Sequence, residues 1–275
     1  MDVPSLTAGG LRAGYGTRPI LNDLSLNLPA GGISAIVGAN ACGKSTLLRC
    51  LSRLLRPDAG EVLLDGRSVR DIPTKHLARK LGLLPQSPLA PDGITVADLV
   101  SHGRHPHQGV LSRWSHADDV AVADALEATR TAELADRPVD ELSGGQRQRV
   151  WIAMALAQET GILLLDEPTT FLDIAHQVEV LDLLVDLNRS RGTMIVMVLH
   201  DLNLAARYAG HLVAMLDGRI EAAGAPEKVL TETMVERVFG LRSVVITDPT
   251  SGKPMMLPVG RHGIAPQDAR EEAVT

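Results

Sequence analysis

The sequence predicts an α/β fold organised on a mainly parallel sheet. Short, nearly all-apolar runs recur along the chain at Ile33–Val37, Ile162–Leu165, Met194–Leu199 and Leu212–Leu216. Strands with no polar alternation suit a sheet covered on both faces by helices. Helical patterns follow several of these runs. After Thr169, the residues Ile174, Val178, Leu181 and Val185 recur at four-three-four spacing and predict one apolar helix face. A glycine-rich loop between the first run and a helical stretch, Lys44 to Leu55, completes the layered pattern.

The remaining elements follow in chain order. Residues 1–32 carry turn signals (Gly9-Gly10, Gly14, Gly16, Pro29, Gly31-Gly32) around alternating runs such as Leu24, Leu26 and Leu28, which predicts antiparallel strands. Leu81–Leu84 is strand-like. Residues 87–160 read as mainly helical and as an insertion between sheet strands, with Ser115 and Asp118 forming an N-cap box for a helix through about Arg130. Val244–Thr247 and Met255–Pro258 flank DPTSGK and predict a hairpin. The tail over 261–275 is polar. The expected division is thus a core of 1–86 with 161–260, a helical subdomain of 87–160, and the tail.

Composition narrows the function classes. At 275 residues the chain is long enough for one large domain or a domain with an insertion. Its net charge of −6 argues against a whole-surface nucleic-acid binder, and 2% aromatics leave little for base stacking. Cys42 and Cys50 are the two cysteines, too few for a disulfide framework and consistent with a reducing compartment. The longest apolar run, Val150 to Ala157, is far short of the ~20 residues that cross a bilayer. The start, MDVPSLTAGG, lacks a basic segment followed by an apolar one, so no signal peptide is expected. A cytoplasmic protein, with any membrane role exercised through a partner, is the expectation.

Gly38-Ala39-Asn40-Ala41-Cys42-Gly43-Lys44-Ser45 matches GxxxxGK[ST], and its strand–loop–helix setting separates it from a plain glycine turn. Backbone N–H groups of such a loop, with the helix start through Thr46, cradle phosphates. Lys44 adds a charge at the β/γ-phosphates, and the Ser45 hydroxyl can ligate Mg²⁺. The run 162–165 delivers Asp166 and Glu167 to the same sheet edge. Asp166 can hold Mg²⁺ through water, and Glu167 can orient or deprotonate an attacking water. Leu142-Ser143-Gly144-Gly145-Gln146 opens a further helix, through about Gln158, and makes a second anion-binding helix start.

With LSGGQ at 142–146, the chain resembles the ATP-binding-cassette (ABC) ATPases over most of its length. The resemblance also rests on the phosphate loop, Gln86 after Leu81–Leu84, LLLDEP at 163–168, Leu172-Asp173 and His200 at a strand end. It implies a P-loop domain of ABC type with an antiparallel β subdomain and a helical subdomain, binding ATP and Mg²⁺. It places Tyr15 as an adenine-stacking aromatic, Gln86 beside Mg²⁺ or the water, and His200 as a donor to the γ-phosphate. It implies a head-to-tail homodimer in which Ser143, Gly144, Gly145 and Gln146 of one subunit cover the ATP of the other. Two positions depart from the pattern. Ala39-Asn40-Ala41 stands where the family often has Pro-Asn-Gly, and a positive φ at Ala41 would cost about 1 kcal/mol. Cys42 inside the loop is either a low-pKa thiol at a helix start or a small residue tolerated there.

Three classes of use compete: an importer subunit, a soluble cassette ATPase such as one for cluster assembly, and a plain P-loop kinase or GTPase. LSGGQ disfavours the third. A stand-alone cassette without membrane spans favours the first. The acid-free segment Leu99 to Ala117, with Arg104, Arg113 and His102, His105 and His107, reads as a partner surface, a metal site or a solvated loop. GRHPHQ together with TTFLDIAHQVEVLDLL (169–184) resembles importers of ferric siderophores, haem and cobalamin, most of all the ferric-siderophore branch. That resemblance implies contact with polytopic permease subunits around 87–114, an external substrate-binding protein, and a place on the cytoplasmic face of the membrane.

Overall fold

The computed structural model of the chain describes residues 4–109 and 114–260. The expected polar tail, and Val110–Arg113 inside the expected contact segment, lie outside the described residues. Strands β1 (Leu6–Tyr15) and β2 (Arg18–Leu28) form the predicted antiparallel pair. β3 (Ile33–Gly38) leads through the glycine-rich loop into α1 (Lys44–Leu51). That helix stops four residues short of the expected Leu55, because Arg53 turns left-handed (φ 63°) and its guanidinium donates to the carbonyls of Val69 and Ile72.

Sequence periodicity gave no sign of β4 (Ala59–Leu64) and β5 (Arg67–Ser68). β4 pairs antiparallel with β1, Leu6 opposite Leu64, and completes a four-stranded sheet of order β2-β1-β4-β5. Then come α2 (Thr74–Ala78), β6 (Leu81–Leu84), α3 (Val96–Ser101), α4 (His116–Ala128) and α5 (Gly144–Ala157). The Ser115–Asp118 capping box opens α4 as predicted. The helix ends two residues before Arg130, which is itself left-handed at φ 54°.

β7 (Ile162–Asp166), α6 (Ile174–Arg191), β8 (Met194–Val198), α7 (Leu202–Tyr208), β9 (His211–Leu216) and β10 (Arg219–Gly224) complete the central sheet region. α8 (Pro226–Val229), α9 (Glu232–Phe239) and the hairpin β11 (Ser243–Thr247) with β12 (Pro254–Pro258) close the described chain. The central sheet has the order β10-β9-β3-β8-β7-β6 and is parallel except for β10. Parallel strands set β3, β6, β7 and β8 with their carboxyl ends on one edge, where the four loops that carry the candidate residues emerge.

Each apolar strand divides its residues between two cores. Leu163, Leu165, Ile195 and Met197 face one cluster, shared with α5, α6 and α7. Ile162, Leu164, Val196 and Val198 face the other, where α1 is held between the central sheet and the antiparallel sheet. This period-two division explains why the strands read as continuous apolar runs. The predicted face of α6 is corrected. Ile174 is 80% exposed, and the buried stripe is Val180, Leu181, Leu184 and Leu187. Ile174 and Ala175 in the first turn of α6 are both exposed, and the fully buried residues begin at Val180.

Candidate functional site

The loop after β3 is shaped by backbone that bulky side chains cannot follow. A Cβ at Gly38 would sit 2.5 Å from the Met215 carbonyl oxygen, and Gly43 caps α1 at φ 107°. Ala41 does adopt the left-handed region, φ 62°, so the strain foreseen for an alanine there is present. The first bond of α1 runs from Leu47 N–H to the Gly43 carbonyl. The amides of Lys44, Ser45 and Thr46 therefore point out of the helix start with no helical acceptor. Lys44 is buried, and its ammonium donates to the carbonyls of Gly38 and Ala39, each at 2.9 Å.

Beside this cradle stand the two acids. Ser45 Oγ donates to Asp166 Oδ1 at 3.0 Å. Burial pushes the Asp166 carboxyl up, opposed by the Ser45 hydrogen bond and reinforced by the Glu167 charge. Glu167 is buried and left-handed at φ 55°. Its Oε1 meets His200 Nε2 at 2.6 Å, and its Oε2 accepts from Thr170 Oγ1 at 3.0 Å and from the Gln86 amide. Residues from the ends of β6, β7 and β8 thus converge on one carboxylate. A cleft of about 520 Å³ runs between that carboxylate and the cradle. Ser45, Asp166 and Gln86 present hard oxygen donors, a set that fits Mg²⁺, and the narrow glycine-backed cradle fits a phosphate chain.

Arg18 and Ile20 on β2 also line the cleft, and sequence reading missed both, as it missed Thr170. Thr170 was accessible, three residues after Glu167 in DEPTT. Nothing in the periodicity of β2 marks Arg18. Tyr15 ends β1 outside the cleft lining, 47% exposed, with its hydroxyl accepting from Arg49 at 2.8 Å. Asn40 lies in the lining. Cys42 is buried in the loop, and burial raises its thiol pKa against the lowering by Lys44. That direction runs against the low-pKa reading and favours a small residue tolerated in the loop.

The LSGGQ helix start is elsewhere. Ser143 Oγ accepts from the Gln146 amide at 3.3 Å while Gln146 Oε1 accepts from the Ser143 amide at 3.1 Å. Gly145 lies under the His176 ring, where a Cβ would come within 2.3 Å of Cδ2. None of residues 143–146 lines the cleft of its own chain.

The basic segment is partly corrected. Arg104 is buried, pairing with Asp118 at 2.9 Å and Glu159 at 2.6 Å and donating to the Ala157 carbonyl. It ties the segment to the C-terminal end of α5 and is no partner surface. His102 and His105 stack at 5.1 Å, and His107 meets the Gln158 carbonyl. Among the described residues, no group of three or more His, Cys, Asp or Glu side chains is placed to hold a metal ion. No helix among them is long and apolar enough to cross a membrane.

Comparison with known proteins agrees with this geometry. The family described as ABC transporter matches residues 21–170. The chain is 53% identical over 269 residues, 98% of both sequences, to the "Probable siderophore transport system ATP-binding protein YusV" of Bacillus subtilis. It is 51% identical over 260 residues to the ferric enterobactin transport ATP-binding protein FepC of Escherichia coli, covering 94% of this chain and 96% of that one. Among solved structures it resembles the dimeric ABC transporter cassette MJ0796, with a TM-score of 0.71 at 28% identity, covering 80% of this chain and 98% of that one. The family match over residues 21–170 and relatives about half identical over nearly the whole length place this chain in the ABC transporter family.

Proposed function

We propose that the chain hydrolyses ATP to drive import of a ferric siderophore through a separate membrane permease. The observation that carries the catalytic part is the clamp on Glu167, whose two oxygens are held by His200 on one side and Gln86 and Thr170 on the other. A carboxylate fixed at the cradle's edge orients a water in line with the terminal phosphate and takes its proton. The loop amides from Gly38 through Thr46 and the Lys44 ammonium bind the phosphates and neutralise their charge. Ser45, Asp166 and Gln86 would hold Mg²⁺, which would supply charge neutralisation at the phosphate oxygens. His200 donates to the γ-phosphate, and Tyr15, on the exposed rim, stacks the adenine.

The second half of the reaction site belongs to another copy. Ser143 and Gly144 are exposed at the start of α5, with Gly145 buried and Gln146 partly buried behind them, and this helix start suits the phosphates bound by a partner subunit. Phe171 and Ile174, 91% and 80% exposed beside the Glu167 loop, supply apolar surface for that homodimer. Leu89, 93% exposed, supports a permease contact around 87–114 at the cytoplasmic face of the membrane. The core of 1–86 with 161–260 then binds ATP, and the helical part of 87–160 passes the nucleotide state from Gln86 to the permease. The curated relatives above are named for siderophore and ferric enterobactin transport, which supports the cargo. A substrate-binding protein outside the membrane delivers it.

A deletion strain tests the proposal. Loss of labelled ferric-siderophore uptake, restored by wild type and not by Lys44→Ala, is the expected result. Intact uptake of every ferric siderophore with a defect in cobalamin uptake refutes the cargo and leaves the ATPase standing.

A further inference from the structure

The catalytic edge of β8 is braced from a part of the chain that carries no chemistry. His200 follows β8, and its side chain is 47% exposed, with the Glu167 carboxylate as its recorded partner. Apart from that contact, the place of the imidazole depends on the backbone that carries it. That backbone runs into α7, whose first turn is capped by Asp201 Oδ1 accepting from the Leu204 amide at 2.8 Å. An open cleft of about 250 Å³ lies against the turn, lined by His200, Asp201 and Asn203 and by Leu202, Val235 and Met256. Leu202 and Ala205 pack α7 into the main core, and the Met256 side chain packs against the same cluster.

A polar clasp ties this turn to the C-terminal hairpin as well. Asn203 Nδ2 donates to the Met256 carbonyl at 3.1 Å, and the Met256 amide donates to Asn203 Oδ1 at 2.7 Å. Met256 lies opposite Val245 in the hairpin, and the Val245 amide also points outward, to Glu232 Oε1 at 3.2 Å. Val245 and Met256 are therefore a pair that makes no bonds across the hairpin, which leaves both backbone edges free. Asn203 occupies one edge as a neighbouring strand would, with one donor and one acceptor in register.

We propose that Asn203 is a positioning residue for His200, and that the β11–β12 hairpin is part of the hydrolytic machinery through this clasp. The proposal rests on His200 acting in hydrolysis, as read above. A catalytic group displaced by about 1 Å can lose as much as ~10²-fold in rate. Breaking the clasp should therefore lower kcat by roughly tenfold while the KM for ATP stays within about twofold.

The test uses the purified full-length chain and steady-state phosphate release over a range of ATP concentrations, at protein concentrations high enough for self-association. Asn203→Ala removes the clasp from the helix side. Met256→Pro removes the amide donor from the hairpin side at an edge where proline is tolerated, with Met256→Ala as the control for lost packing. Both clasp variants should lose kcat in the wild-type background and lose nothing further in the His200→Ala background, the signature of action through one residue. Met256→Ala should remain near wild type. An equal loss from Asn203→Ala in both backgrounds, or unchanged kcat in both clasp variants, overturns the clasp alone. Wild-type turnover by His200→Ala overturns the role of His200 and the clasp with it.

Discussion

Two helices of this chain begin at phosphate-suited N-termini, and they are built on opposite plans. The start of α1 is buried and strained, with left-handed Ala41 and Gly43, an enclosed Lys44, and Asp166 in contact with Ser45. The start of α5 is exposed and relaxed, closed by the reciprocal Ser143–Gln146 capping box, with no acid in its first turn. Its far end is anchored, since Arg104 donates to the Ala157 carbonyl while held by Asp118 and Glu159. The first site carries charge and chemistry within one chain. The second has its own hydrogen bonds satisfied and offers amides and a dipole on a fixed platform, which is what a surface presented to another subunit's ligand requires.

The largest effect should come from the α1 side. Glu167→Gln keeps the shape of the clamp but cannot accept a proton, so phosphate release should fall by about 10²- to 10⁴-fold while ATP binding persists. Lys44→Ala should abolish ATP binding itself. Separate measurements of nucleotide binding and phosphate release distinguish the two, and normal hydrolysis by Glu167→Gln would remove the carboxylate from the mechanism.

The α5 side should fail differently. Ser143→Arg should stop hydrolysis while leaving nucleotide binding by the isolated chain intact, because its own cleft does not include Ser143. Mixing Ser143→Arg with Lys44→Ala protein should restore part of the activity, since each supplies the half-site the other lacks. A mixture no more active than its components, or a monomer hydrolysing at full rate whatever its concentration, would collapse the distinction between the two helix starts.

Arg104→Ala should sharpen the contrast by loosening only the α5 platform. Removing one partner of a buried ion pair costs about 3–5 kcal/mol, to be read from denaturant unfolding. The same pair gives an acid dependence. Hydrogen bonds from Arg104 and Ser115 hold the Asp118 carboxyl at about 2 against an ordinary 3.8. A depressed folded-state pKa stabilises above the ordinary value, and the contribution disappears as pH falls from 3.8 towards about 2. Wild type should lose stability in that window, and Arg104→Ala should show a flatter profile there. ATP affinity at the α1 cradle should be little changed.

The smallest effect is local to the cradle. Ala41→Gly relieves a left-handed alanine and should stabilise the chain by up to about 1 kcal/mol, partly offset by the freer unfolded glycine. Thermal unfolding checks it, and a destabilised variant would mean that the alanine methyl packs more favourably than the strain costs.

Much of this arrangement was legible before any coordinates. The apolar strands, the glycine-rich loop, the paired acids after β7, the Ser115 and Ser143 caps and the terminal hairpin are local patterns, visible in windows of a dozen residues. Local patterns failed where the environment was remote. The α6 face was misplaced because its first turn is exposed and the buried stripe begins only at Val180, and β4 escaped because its strand identity comes from pairing with β1. The basic segment looked unneutralised because Glu159 lies 55 residues from Arg104.

The sequence by itself determined which residue types could bind phosphate and activate water, since short motifs dictate backbone shape and charge at fixed spacing. Only the tertiary structure decided which of them meet. Gln86 reaches Glu167 across 81 residues, Ser45 reaches Asp166 across 121, and Asn203 clasps Met256 across 53. The first two meetings follow from strand order, which sets β3, β8, β7 and β6 side by side with their carboxyl ends together, and the third from the docking of the separate β11–β12 hairpin on α7. Strand order is fixed by the packing of whole layers around two cores, a property of the whole chain that no short segment encodes.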